Sequence, residues 1–115
     1  MVSIKRHELW AYGEEGWSTE RIHVEQGQTV LFTGKVELTE PSPSDAYFTV
    51  DLYIDGELVK PLIASGWIGE GQKSSSYTFT WRFDKPGTYR VKTDISIPSL
   101  GIYSVRARAG RERWI

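Results

Sequence analysis

The 115-residue chain has no cysteine, no asparagine and only three glutamines. Without cysteine there is no disulfide, no thiol nucleophile and no thiolate metal ligand, and the redox compartment stays open. Without asparagine there is no N-x-Ser/Thr glycosylation acceptor. The shortage of thermolabile side chains points toward a thermophilic source. An excess of charge of one sign is missing too: 14 basic against 15 acidic side chains leave a formal net charge of −1. That balance gives no general attraction to nucleic acid or to an anionic membrane surface, so no nucleic acid is expected as a partner. No apolar run approaches the roughly 18 residues of a membrane span, so no membrane insertion is expected. The opening M-V-S-I-K-R-H-E-L-W lacks the apolar centre of a signal peptide. Taken literally that reads as cytoplasmic, but a domain excised from a larger secreted protein would read the same, and the compartment is left unassigned.

What the chain does have is alternation. In residues 76–83, Tyr77, Phe79, Trp81 and Phe83 alternate with Ser76, Thr78, Thr80 and Arg82, a period of two that only a strand can use. After Asp84, Pro86 and Gly87 the pattern resumes, with Tyr89, Val91, Thr93, Ile95 and Ile97 on one parity. This reads as two long strands around a tight connection, with Trp81 in the core. Val30, Phe32, Val36 and Leu38 give an earlier inward face, with Gly34 among them marking a bulge or a close approach. Phe48, Val50, Leu52 and Ile54 give another, followed by Asp55-Gly56, the strongest hairpin signal present. Residues 57–63 are expected to return antiparallel, and the Gly/Ser-rich 64–75 reads as a loop around Trp67. Tyr103, Val105, Ala107 and Ala109 form a last alternating strand.

About seven or eight strands with closely spaced turns, and no stretch of helical period, predict one all-β domain over 1–115: an immunoglobulin-like antiparallel β-sandwich. Residues 1–17 are expected as an edge strand or arm, and 110–115 as an apolar-ended tail.

L52-Y53-I54-D55-G56 with Val59, then Gly71 and Y77-T78-F79-T80-W81, then P86-G87-T88-Y89-R90-V91, resemble the CARDB family. The likeness runs over about residues 27–94. It implies an immunoglobulin-like module close to fibronectin type III, from prokaryotic surface or secreted proteins, serving adhesion or the presentation of other domains. It carries no catalytic signature. The segment before Ser18, the strand and tail over 101–115, and the glycine-framed Trp67 lie outside the family pattern.

No reactive constellation stands out. His7 and His23 have no partner at metal spacing and read as solvent-facing strand residues. The serines lack a G-x-S-x-G context. Glu14-Glu15 reads as a solvated turn beside Trp10, Tyr12 and Trp17, and Asp51, Asp55 and Glu57 lack a calcium-loop array. No enzyme, cofactor or metal is therefore expected. Arg82, Arg90, Lys92, Arg106 and Arg108 fall on outward parities and form a candidate basic face if their strands share a sheet. The five tryptophans carry more information. Trp10, Trp17, Trp67 and Trp114 lie in edge or loop contexts, and with Ile115 they are the candidate ligand or interface residues, since flat rings bind at little entropic cost. The expected function is a non-catalytic structural or protein-interaction module, whose partner is a protein or a second copy. The alternative is a carbohydrate-binding module using the loop tryptophans, with a glycan as partner.

Overall fold

The computed structural model describes residues 1–12 and 21–110, and within them the chain is built almost wholly of strands. The first sheet has the order β10 (Arg108–Ala109), β1 (Ile4–Tyr12), β3 (Gln28–Leu38), β6 (Ser74–Phe83). All its neighbours run antiparallel except β10, which lies parallel to β1. The second is fully antiparallel, in the order β5 (Glu57–Ile68), β4 (Ala46–Ile54), β8 (Val91–Ile97), β9 (Ile102–Arg106). β2 (Ile22–Val24) and β7 (Gly87–Tyr89) form a short separate pair. The chain passes between the two sheets after β3, β5, β6 and β9, so this is an immunoglobulin-like sandwich. Its ten described strands exceed the expected seven or eight because β2, β7 and β10 are pieces of two or three residues.

Alternation decides which side chains fill the space between the sheets. Phe32, Val36 and Leu38 from β3 and Phe48, Val50 and Leu52 from β4 are completely buried, as are Ile95 and Ile97 from β8. Burying each such side chain contributes about 1.5–3 kcal/mol. The Phe32 and Phe79 rings stack with centroids 5.0 Å apart. Asp55 and Gly56 take φ of 52° and 84°, the two positive values that a tight hairpin turn between twisted strands demands.

Three expectations change. The strand β5 runs on through Trp67 to Ile68, so only residues 69–73 form the loop. Gly66 is a strand residue opposite Phe48, and a Cβ there would meet the Phe48 ring. The second change concerns Pro86-Gly87, which does not make a hairpin between adjacent strands. β6 pairs with β3, whereas β8 pairs with β4 and β9 across the sandwich. The switch falls at Arg90, whose carbonyl accepts from the Asp55 N–H and whose own N–H donates to Asp55 Oδ1, tying it to the β4–β5 turn. Third, Trp81 keeps its inward parity and packs against the core, yet it lies near the end of the sandwich and is only half-buried.

Candidate functional site

On the outer face of the second sheet the cross-strand register sorts the side chains into rows. Tyr47 of β4 stands opposite Trp67 of β5, with ring centroids 5.1 Å apart and planes tilted by 56°. Trp67 is 60% and Tyr47 42% exposed. Two residues along the face, Ser65, Thr49 and Ser96 form a row of hydroxyls across β5, β4 and β8. Ser96 Oγ accepts from the Ser104 N–H at 3.0 Å. Next come Asp51, Asp94 and Arg106. Arg106 donates from Nε to Asp94 Oδ1 at 2.9 Å and from a terminal nitrogen to Oδ2 at 3.4 Å. Its guanidinium also lies 4.4 Å from the centre of the Tyr53 ring. The last row pairs Leu58 and Lys92 with Tyr53.

Near that last row β5 departs from a regular ladder. Its register with β4 shifts between Val50 and Tyr53, and Leu62 adopts φ of 54°. A leucine in the left-handed region is uncommon and costs on the order of 1–3 kcal/mol. Its N–H donates to Asp51 Oδ1 at 2.9 Å, which holds the bulge in place.

The expected basic face does not form. Arg82 and Arg108 belong to β6 and β10, at opposite edges of the first sheet, while Lys92 and Arg106 belong to the second sheet, with Arg90 at the crossing between them. Because β6 and β8 lie in different sheets, outward parity sends their side chains to opposite sides of the molecule. Trp10 is also excluded as an exposed ring: it is 1% exposed, with the backbone of Gly110 laid across its indole so that a Cβ would overlap it. Trp17, Glu14, Glu15, Trp114 and Ile115 lie outside the described residues. Of the two candidate tryptophans among the described residues, Trp10 and Trp67, the structure places Trp67 in the open.

His7 is corrected as well, since it is a core residue and not solvent-facing. Its Nδ1 lies 3.0 Å from the Val105 carbonyl and its Nε2 lies 2.7 Å from the Tyr77 hydroxyl, which is 2.7 Å from Thr93 Oγ1. A carbonyl only accepts, so Nδ1 carries the proton of the neutral ring. Nε2 then accepts from Tyr77, and the Tyr77 oxygen accepts from Thr93. This chain of bonds links β1, β6, β8 and β9 through the middle of the sandwich. Burial lowers His7 to about 4, against a smaller opposing effect of its bond to the Val105 carbonyl. Burial likewise pushes the Tyr77 phenol well above its ordinary range; the Thr93 bond opposes this and the nearby Asp94 charge adds to it. Gly34 makes the arrangement possible: it is the register partner of Tyr77, and a Cβ there would overlap the ring. His23, by contrast, is exposed and bonds Thr88 across the β2–β7 pair.

Among the described residues no group of three histidines or carboxylates is placed to hold a metal. Asp51 and Asp55 spend their Oδ1 atoms on the Leu62 and Arg90 backbone. The sequence reading passed over Tyr47 and the hydroxyl row, although parity with the inward Phe48 already marked Tyr47 and Thr49 as outward.

Fold and face together define an all-β sandwich of immunoglobulin-like topology with an uncovered aromatic pair. Compared with protein-family models, with curated proteins and with solved structures, the chain matches none.

Proposed function

We propose that the chain is a non-catalytic β-sandwich module that works by association with protein, a second copy of itself included. The observation that supports this reading best is the free edge of the second sheet. Among the described residues β5 is paired with β4 on one side only. At its hairpin end it exposes Leu58 by 49% and Leu62 by 61%, with Val59 at 36%. Exposed edges are commonly blunted by charge, proline or a bulge, and Lys60, Pro61 and the Leu62 bulge do so here. Those features oppose simple extension of the ladder, so the partner packs on the leucine side chains. The resemblance to surface modules that mediate adhesion agrees with such a role and with a surface or secreted setting.

Sedimentation velocity from micromolar to millimolar concentration tests the reading. It expects a mass that rises with concentration, and a Leu58→Lys/Leu62→Lys variant that stays monomeric while melting like the parent. A parent that is monomeric throughout the range would contradict self-association at this edge.

A further inference from the structure

Going beyond that reading, we propose that the other end of the same sheet face binds a neutral linear oligosaccharide, with Trp67 and Tyr47 as its stacking platform. The two rings are exposed side by side at the end of the sandwich away from the Asp55-Gly56 turn. Nothing in the packing of the core calls for them: the inward partners in this part of β4 and β5 are Ala46, Phe48 and Ile68, all fully buried. A sugar ring offers one face of C–H groups and a rim of hydroxyls. The C–H face suits an indole, whose area can be covered at little entropic cost. The rim needs donors and acceptors spaced along the chain, and the hydroxyls of Ser65, Thr49 and Ser96 provide them two residues further along the face. Two residues along a strand is roughly 7 Å, close enough for one ligand to stack on the rings and reach the hydroxyls.

Charge decides the class of sugar. The two carboxylates of the face, Asp51 and Asp94, are matched by Arg106 and Lys92, and Arg106 is already held by Asp94. Beside the platform Asp45 and Glu70 lie together, the Glu70 N–H donating to Asp45 Oδ1, and the same 69–73 loop carries one exposed cation, Lys73. Among the described residues no cationic cluster adjoins the rings to select a uronate or a sulfated sugar, so the ligand is neutral. A protein hot spot is the competing occupant. It would need the apolar surface to continue from the rings, whereas here it gives way at once to hydroxyls and balanced charge.

The test is a titration of the whole chain with cellohexaose, xylohexaose, mannohexaose and maltohexaose, and with a hexagalacturonate as the acidic probe. It is read by calorimetry and tryptophan fluorescence. At least one neutral hexasaccharide is expected to bind in the millimolar range or tighter. Trp67→Ala is expected to weaken it about tenfold or more with the fold intact by circular dichroism, Tyr47→Ala less, and Thr49→Val measurably. Absence of binding by all four neutral probes would overturn the proposal. So would preference for the hexagalacturonate, or undiminished binding by both aromatic variants. Loss of self-association in Trp67→Ala would also overturn it, by assigning these rings to the protein interface. Failure of the leucine variant to alter sedimentation would leave the sugar site standing, so the two readings fail separately.

Discussion

Tyr77 and Tyr47 lie in the two facing sheets and are used in opposite ways. Tyr77 is buried across Gly34, its hydroxyl fixed between His7 and Thr93. Tyr47 turns its ring outward against Trp67, which is exposed as well. The bonds linking His7, Tyr77 and Thr93 leave both imidazole nitrogens and the phenol occupied, as a buried polar chain must be if it is not to destabilise the core. That region is complete in itself. The outer aromatic pair is not, because it forgoes burial that comparable rings obtain inside the sandwich. The difference assigns stability to the interior and leaves the outer pair as the surface on which the sugar proposal rests.

The largest effect expected from breaking the interior is that of Gly34→Ala. The added methyl overlaps the Tyr77 ring, and moving the ring strips His7 and Thr93 of their shared partner. Overpacking together with unsatisfied buried groups gives an expected loss of about 4 kcal/mol in urea unfolding. A loss under about 1 kcal/mol would mean that the ring does not need this gap.

A smaller effect comes from protons. Folding lowers His7 from 6.5 to about 4, so as pH falls the unfolded chain takes up this proton first. The stability this contributes is therefore complete above pH 6.5, fades as the pH falls toward 4, and is gone below it. A separation of that size corresponds to about 3 kcal/mol. Unfolding measured at pH 7, 5.5 and 4 is expected to show a steeper loss for the parent than for His7→Gln. Equal slopes would place the pH dependence elsewhere. The rearrangement on protonation is small in geometry, because Tyr77 can turn its hydroxyl to accept from Nε2–H and donate to Thr93. What opposes it is the cost of burying the charge itself.

Parity explains what could be read from the sequence. Inward residues of β3, β4 and β6 follow from alternation alone, and Asp55-Gly56 declares its turn through residues that tolerate positive φ. Pairing partners are a different kind of information. Pro86-Gly87 looks like a hairpin turn locally, and only the capture of Arg90 by Asp55, far away in sequence, shows the strand changing sheets. The basic face failed for that reason, since outward residues form one surface only when their strands share a sheet. Gly66 reads as a loop signal because a glycine facing an aromatic ring looks, in sequence, like any other glycine. The burial of His7, expected to face solvent, and of Trp10, a candidate interface residue, is hidden in the sequence for a related reason. Their cover comes from β6, β8 and β9 for the histidine and from Gly110 beside β10 for the tryptophan, all long-range contacts. The glycine-framed Trp67 stands out in the sequence, whereas its partner Tyr47 needs the register of β4 with β5.

The smallest expected effect bears most directly on the claim that the face is free of structural duty. Trp67→Ala removes the largest exposed ring of the described residues and, on this account, changes stability in urea unfolding by less than about 0.5 kcal/mol with an unchanged denaturant slope. A loss of about 2 kcal/mol or more would contradict it, making the Trp67–Tyr47 pair part of what holds the sandwich together and not a surface kept open for a ligand.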